Sequence, residues 1–281
     1  MSEDGLYREE ADTLPPDVLP LVFATWAGAT IPGLPPEAVQ RNSVGAVGLA
    51  ALGEGYGFFR VIRDFCKRQG RHEGKETVVL DYGCGWGRII RFFLTVYDNR
   101  RVFGLDVDGS MVGYCQTLIG AGQYFTISGR PPLAFPAASI DLLYAYSVFS
   151  HLSSGLQNAL VDEFSRIIRP GGFLFLTTRL RSFIDECAAL RSLSGLDAYG
   201  SALAAAFPEP EVTKRQYDGG QFVFRPYPPE INRLGVDYGE AIVPRGYAER
   251  EWSRHFRLVE FIDDSSRLRQ ACFVLERCAT P

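Results

Sequence analysis

The stretch VVLDYGCGWGRII, residues 78–90, decides the fold. An apolar, β-branched run ends in the acid Asp81, and glycines follow at positions 83, 85 and 87. Such a run is typical of a parallel strand that is covered on both faces. Glycines let the backbone turn sharply and approach a ligand closely, and a helix after the turn offers free N–H groups and a positive dipole end. The stretch therefore predicts a strand, a ligand-binding turn and a helix.

The alternation of strands and helices continues on the C-terminal side of this turn. Further strands are expected at residues 101–107, 124–127, 140–147 and 173–178, and two closing strands at 256–262 and 269–278. A capping box of Ser154 and Gln157 is expected to open the helix before the 173–178 strand. Strand–helix–strand order at these lengths implies right-handed crossovers with helices on both faces of the sheet. We therefore predict an α/β fold, a doubly wound, Rossmann-like sheet of seven mostly parallel strands with an antiparallel closing strand.

The regular pattern breaks after residue 178 and resumes near residue 247. Between these points lie a helical stretch and then turns rich in aromatic residues and proline. The expected organisation has four segments: an N-terminal helical or irregular cap at 1–72, a ligand-binding core at 73–179, a substrate-side insertion at 180–246, and a closing helix and strands at 247–281.

Composition excludes several classes of protein. The chain has 281 residues, of which 46% are hydrophobic and 22% charged, with a net charge of −4, so no overall field favours nucleic acid or an anionic membrane. The N-terminal sequence MSEDGLYREE is acidic where a secretory signal is basic, and the apolar stretch near residue 25 falls short of the ~20 residues of a membrane span. The six cysteines form no C-x-x-C pair. We expect a cytoplasmic protein with reduced thiols; the oligomeric state stays open.

Three ligand classes compete for the glycine turn. A mononucleotide P-loop needs a lysine after its glycines, which is absent here, and a dinucleotide turn needs G-x-G-x-x-G, whose last position counted from Gly83 is Arg88. Asp81 would repel a pyrophosphate but can accept a hydrogen bond from an ammonium group. Asp106, at the end of the second predicted strand, stands where a carboxylate binds both ribose hydroxyls. An amino-acid end and a nucleoside end together describe S-adenosylmethionine and disfavour a nicotinamide-dependent oxidoreductase.

Four motifs in this order, LDYGCGWGR, GLDVDGSM, SIDLLYAYSVFSHL and RIIRPGGFLFLTT, resemble the class I S-adenosylmethionine-dependent methyltransferases over roughly residues 76–180. The resemblance implies methyl transfer from S-adenosylmethionine, with S-adenosylhomocysteine as product. It assigns the methionine end and the ribose to Asp81, Gly83, Gly85 and Gly87, the ribose diol to Asp106, the adenine to Val107, Met111, Gly129 and Arg130, and the neighbourhood of the transferring methyl group to Tyr146 and Ser147. The acid that many members carry after the third strand is missing here, where the sequence reads SGRPP at 128–132.

The acceptor side of the site is less defined by sequence. His151 follows the fourth strand, in a loop at the ligand-facing end of the sheet. It either takes a proton from a substrate hydroxyl, or only hydrogen-bonds the loop or packs on the next helix. In the insertion, Tyr217, Phe224 and Arg225 either contact the substrate or belong to an edge hairpin. No cluster of carboxylates points to a metal, so none is expected.

The function that we expect is methyl transfer to an oxygen or nitrogen of a small-molecule acceptor, such as a sugar or secondary metabolite. Two alternatives stay open. One is a non-catalytic S-adenosylmethionine-binding protein, because binding and catalysis use different residues. The other is a methyltransferase of a protein or RNA substrate, although the negative net charge disfavours RNA.

Overall fold

The computed structural model describes residues 33–232 and 235–279. The first 32 residues of the expected cap lie outside the described residues. Within the described ranges, no helix combines the length and the apolar character that crossing a membrane requires.

The described elements follow the predicted alternation. The strands are β1 Val79–Tyr82, β2 Val102–Asp106, β3 Gln123–Thr126, β4 Ile140–Ala145, β5 Ile168–Thr178, β6 Val223–Pro226, β7 Gly239–Ile242, β8 Phe256–Ile262 and β9 Ala271–Arg277. The helices are α1 Glu37–Val44, α2 Gly48–Gln69, α3 Ile90–Phe93, α4 Gly109–Tyr114, α5 Ser154–Ile167, α6 Phe183–Leu190, α7 Ala198–Ala206, α8 Pro210–Asp218 and α9 Arg245–Glu251. Short 3₁₀ turns lie at Asn99–Arg101 and Gly235–Asp237.

Seven of the strands form one sheet in the order β3-β2-β1-β4-β5-β9-β8. The β1–β2, β2–β3 and β4–β5 pairs are parallel, whereas β9 runs antiparallel to both β5 and β8. The α/β fold with a mostly parallel seven-stranded sheet and an antiparallel closing strand is thereby confirmed. Strands β6 and β7 pair separately as a two-stranded antiparallel sheet.

The described part of the chain divides into two compact units, with the division between residues 129 and 130. In the first unit, helix α2 buries an apolar stripe of Phe58, Phe59, Ile62 and Phe65, and Phe59 packs edge-on against Phe93 of α3, with 4.9 Å between the ring centroids. In the second unit, strand β4 is buried along its whole length, as expected for a parallel strand that is covered on both faces.

The insertion builds a small apolar core of its own within the second unit. Its buried members come from α6, α8 and the β6–β7 pair and include residues between these elements: Phe183, Ile184, Cys187, Ala206, Phe207, Tyr217, Val223 and Ile242. This part of the chain is therefore folded, although the boundaries 73–179 and 180–246 of the predicted segments stay predictions.

Three local predictions need correction. The cap of α5 is Ser153, whose hydroxyl accepts the N–H of Leu156, and not Ser154. Gln157 makes no capping box, because its side-chain amide donates to the carbonyls of Phe149 and Leu152. Helix α4 begins at Gly109 and is followed by a π-helical turn at Cys115–Ile119. Helix α8, with a proline in its first turn, replaces predicted turns.

Candidate active site

The glycine turn after β1 has the backbone geometry that its sequence predicts. Gly83, Gly85 and Gly87 have φ angles of 86°, 53° and 81°, in the left-handed region that favours glycine. The N–H groups of Gly83 and Cys84 both donate to the carbonyl oxygen of Leu105, at 2.7 and 3.0 Å. The turn is thereby attached to the end of the neighbouring strand β2.

Gly85 and Gly87 differ in what surrounds them. A Cβ atom on Gly87 would lie 2.3 Å from Cδ1 of Ile119 and 3.0 Å from Sγ of Cys115, so this glycine is needed for packing. A Cβ atom on Gly85 would meet no described atom within 4 Å. Gly85 therefore presents an open backbone face, as a close approach to a ligand requires.

Asp106, at the end of β2, holds the turn with one carboxylate oxygen. Its Oδ2 accepts the N–H of Gly85 at 2.7 Å, and its Oδ1 accepts the N–H of Asp108 at 2.9 Å. Burial raises the pKa of Asp106 above its ordinary value, against the opposing effect of these two N–H groups. Each carboxylate oxygen accepts more than one hydrogen bond, so both retain capacity for hydroxyl donors.

The other predicted residues of the first unit differ in their exposure to solvent. Asp81 is buried in β1, at 2% exposure, whereas Val107 is 41% exposed and Met111 is half-buried. Gly129 is buried, and its carbonyl oxygen accepts the Tyr82 hydroxyl at 2.9 Å. Tyr82 thus links the glycine turn to the loop after β3.

In the second unit, Ser147 has a strained backbone. Its φ angle of 59° is uncommon for a residue other than glycine, and such strain concentrates at functional sites. Thr177 and Gln270 stabilise this conformation: the Ser147 N–H donates to Oγ1 of Thr177 at 2.7 Å, and Nε2 of Gln270 donates to Oγ of Ser147 at 3.0 Å. The neighbouring Tyr146 is 7% exposed.

Arg130 is exposed and forms an ion pair with Asp237. The hydroxyl of Ser153 donates to the other oxygen of the same carboxylate at 2.6 Å. These bonds lower the pKa of Asp237 below its ordinary value, the Ser153 bond most strongly. The assignment of Arg130 to the adenine stays a prediction.

The loop that carries His151 is paired with β7 and the residues before it. The N–H groups of Gly239 and Ala241 donate to the carbonyls of His151 and Ser150 at 2.9 and 2.8 Å. The imidazole Nδ1 lies 3.0 Å from the carbonyl oxygen of Gly239 and 3.2 Å from the Tyr227 hydroxyl. The insertion therefore fixes both the backbone and the ring of His151.

A buried charged group lies behind this histidine. Glu240, with a side chain 1% exposed, has one carboxylate oxygen 3.6 Å from Nδ1 of His151 and the other 2.9 Å from Nε of Arg179. The hydroxyls of Tyr227 and Tyr199 also donate to this carboxylate. Burial alone would raise the pKa of Glu240, but the charges of His151 and Arg179 and the hydrogen bonds lower it below its ordinary value.

Sequence reasoning missed Glu240, Arg179 and Tyr199. A glutamate in a short strand, an arginine just after a strand and a tyrosine in an alanine-rich helix carry no motif. The signal of Glu240 and Arg179 is burial of charge, and that of Tyr199 is its hydrogen bond to Glu240; only the fold reveals either.

A cavity of about 570 Å³ in the second unit borders this cluster. Its walls are formed by the alanine-rich face of α7 and by residues 225–228. Tyr227 and Glu240 are among its polar lining residues. Arg225 also lines this cavity. Tyr217 lies instead in the apolar core of the insertion, and the Phe224 ring packs against Phe222 with 6.4 Å between centroids.

Among the residues that the structure describes, no group of three or more His, Cys, Asp or Glu side chains is placed to hold a metal ion.

Comparison with known proteins identifies the domain. Residues 79–172 match the family model of a methyltransferase domain. The chain carries a class I S-adenosylmethionine-dependent methyltransferase domain. The matched range begins at β1 and ends within β5, so it contains the glycine turn, Asp106 and the His151 loop.

Solved structures agree with this methyltransferase fold. An S-adenosylmethionine-dependent methyltransferase from Clostridium acetobutylicum superposes with a TM-score of 0.55 at 10% identity, over 86% of this chain and 97% of that one. A second, from Mesorhizobium loti, has a TM-score of 0.50 at 16% identity, over 76% of this chain and 96% of that one.

A curated relative gives a partial match to the methyltransferase domain. The malonyl-[acyl-carrier protein] O-methyltransferase of Yersinia pestis is 28% identical over 109 residues, which is 39% of this chain and 39% of the relative. The match therefore spans well under two thirds of that protein.

The residues of the methyltransferase domain fit S-adenosylmethionine. The open face at Gly85 leaves room for a close ligand approach, and the two oxygens of Asp106 suit a pair of ribose hydroxyls.

Proposed function

We propose that this protein transfers the methyl group of S-adenosylmethionine to an oxygen atom of a small-molecule acceptor. The family of its domain supports the methyl donor. The choice of oxygen as the acceptor atom rests on one observation, which is the 3.0 Å contact between Nδ1 of His151 and the carbonyl oxygen of Gly239. A carbonyl only accepts hydrogen bonds, so this nitrogen carries a proton and the neutral ring has its lone pair on Nε2.

The first unit would hold the donor. Asp106 would bind the ribose diol, Asp81 and the turn at 83–87 the amino-acid end, and Val107 and Met111 the adenine. When bound, S-adenosylmethionine supplies a methyl group that its positively charged sulfur already activates. The protein therefore has mainly to align and desolvate the reactants.

In the second unit, His151 would act as the base that takes the acceptor proton. A hydroxyl acceptor needs such a base, because its proton must leave when the ether forms. An amine acceptor needs no base before the bond to the methyl group forms. The Yersinia pestis relative is named an O-methyltransferase, which agrees with an oxygen acceptor.

The acceptor would bind at the cavity beside Tyr227, which lies in the size range of small-molecule sites. Its apolar walls and few polar groups suit a hydroxylated compound such as a sugar or a secondary metabolite. Arg225, which lines the cavity, would contact an anionic group of the acceptor. The contacts predicted for Tyr217 and Phe224 would be indirect, through packing of the insertion.

The experiment measures release of S-adenosylhomocysteine in the presence of matched hydroxyl and amino compounds, for example a sugar and its amino-sugar counterpart. We expect turnover with hydroxyl compounds and a 10²–10⁴-fold loss of kcat in His151→Gln, the usual contribution of a general base. His255→Gln is the control, because His255 faces the exposed Asp162 at 3.2 Å. Turnover with amines alone, or an unimpaired His151→Gln enzyme, would refute the proposal.

A further inference from the structure

We propose that Glu240 is a positioning residue, which holds His151 in the tautomer that a base needs and stabilises the charged imidazole after proton transfer. This inference rests on the proposed function of His151 and extends it to the hydrogen-bonded cluster of Glu240, Tyr227, Tyr199 and Arg179, called the Glu240 cluster below.

The tautomer follows from the three oxygens around Nδ1 of His151. The Gly239 carbonyl oxygen, at 3.0 Å, has no proton to give. The Tyr227 hydroxyl, at 3.2 Å, has a single proton, which it donates to Glu240. The nearest carboxylate oxygen of Glu240, at 3.6 Å, is an acceptor when ionised. None of the three can donate to Nδ1, and the first two lie within hydrogen-bond distance of it. Nδ1 therefore carries the proton, and the lone pair of the neutral ring lies on Nε2.

The Glu240 cluster keeps this carboxylate ionised despite its burial. Arg179 binds both of its oxygens, with Nε–Oε2 at 2.9 Å and Nη2–Oε1 at 3.1 Å, and Tyr199 donates to it at 3.1 Å. The titratable groups that face Glu240 are thus His151, Arg179, Tyr199 and Tyr227, and Cys187 also lies within reach of its charge. Burial and the nearby carboxylate hold the pKa of Tyr199 at about 12 and that of Tyr227 still higher, so both tyrosines stay protonated donors.

The reaction conserves atoms, electrons and charge. The acceptor oxygen forms a bond to the methyl carbon, the carbon–sulfur bond breaks, and its electron pair remains on sulfur as a neutral thioether. The hydroxyl proton moves to Nε2 of His151. The ring then carries a positive charge, which the negative charge of Glu240 stabilises.

Tyr227 and Tyr199 provide a matched pair of variants. Each hydroxyl donates to Oε1 of Glu240, but among the described residues only that of Tyr227 also contacts His151. Tyr227→Phe is expected to lower kcat about tenfold, and Tyr199→Phe by a smaller factor, because the Tyr199 hydroxyl acts on His151 only through Glu240. Equal effects of the two variants would show that the cluster serves folding alone.

The decisive experiment needs no acceptor. The full chain is labelled with ¹⁵N-histidine, and the His151 resonances are assigned by their loss in His151→Gln; the chain contains three histidines. We expect the Nδ1–H tautomer in the native protein and, in Glu240→Gln, a titration midpoint about one pH unit lower, because the stabilising negative charge is gone. If the single variant fails to fold, Glu240→Gln is combined with Arg179→Met, and a smaller shift in the same direction is expected, because loss of the more distant Arg179 cation partly offsets loss of the carboxylate.

An Nε2–H tautomer in the native protein, or an unchanged titration midpoint in the folded variants, overturns the inference. Failure of the proposed function has a different signature, which is a lack of methyl transfer while the tautomer and the shift in titration are as expected.

Discussion

The carboxylate of Asp106 accepts the backbone N–H of Gly85 at 2.7 Å. The residue that we propose for the ribose diol thus also anchors the turn that we propose for the amino-acid end of the donor. One side chain couples the shape of the turn to the recognition of the ribose. Burial raises the pKa of Asp106, so keeping this carboxylate ionised in the folded protein lowers the free energy of unfolding. Such a loss of stability is common for groups that bind ligands.

Alanine at positions 85 and 87 should separate binding from stability. Gly87→Ala forces a methyl group to within 2.3 Å of Ile119, at a φ of 81°, and should lower the free energy of unfolding by roughly 2–4 kcal/mol. Gly85→Ala meets open space and should cost only about 1 kcal/mol, for its left-handed conformation. Urea denaturation of the two variants measures the difference.

The same pair is then titrated with S-adenosylmethionine. The new methyl group of Gly85→Ala occupies the open face of the turn, so we expect at least a tenfold weaker affinity despite the small loss of stability. Native affinity in Gly85→Ala would show that no ligand approaches this face.

The hydroxyl group of Thr177 should contribute about 2 kcal/mol to the free energy of unfolding. This side chain is fully buried, accepts the N–H of Ser147 and donates to Oε1 of Gln270, each at 2.7 Å. Thr177→Val keeps the shape but leaves two buried polar groups without this partner, so the free energy of unfolding should fall by about that amount. Thr117→Val, on an exposed helix surface, should change it by less than about 0.5 kcal/mol. An equal effect of both substitutions would contradict this assignment.

Glu163 should stabilise the fold in a pH-dependent way. Its carboxylate binds Arg166 through two hydrogen bonds, at 2.6 and 2.9 Å, and accepts the N–H of Leu133 at 2.6 Å. The bonds from Arg166 above all lower its pKa in the folded state. A lowered carboxyl pKa stabilises the fold fully above the unfolded value, about 4.3, and the effect is lost as the pH falls through the folded value.

Denaturation of Glu163→Gln at several pH values tests this. The variant should be less stable than the native protein by roughly 1–2 kcal/mol at pH 7, and the gap should close as the pH drops below about 4. The control Glu211→Gln removes an exposed partner of Lys214 and should show no such gap. If the difference in the free energy of unfolding between Glu163→Gln and the native protein stays constant across the pH range, the charge of Glu163 is not the cause of that difference.

The sequence predicts the parallel sheet well because its signals are local. The buried run before Asp81 and the glycines after it specify a strand and a turn without information from elsewhere in the chain. The cap of α5 was placed one residue late, since Ser153 and Ser154 are both good caps and only the bond to Leu156 distinguishes them. The sequence predicts turns in place of helix α8, because Pro208 and Pro210 at its start favour a turn as much as a helix start.

The acceptor side was harder to predict because its contacts are distant in sequence. His151 and Gly239 are 88 residues apart, and nothing in either local sequence pairs them. Glu240 gives no signal as an isolated acid in a four-residue strand. The importance of such residues emerges only when the fold buries their charge.

The central claim is that the glycine turn and Asp106 bind S-adenosylmethionine. Calorimetric titration of the native protein and of Asp106→Asn tests it most directly, with Asp64→Asn, an exposed acid paired with Arg60, as the control. We predict micromolar binding by the native protein and the control, and at least tenfold weaker binding by Asp106→Asn, which loses the charge that binds the diol. An absence of binding by the native protein, or equal binding by Asp106→Asn, would contradict the account.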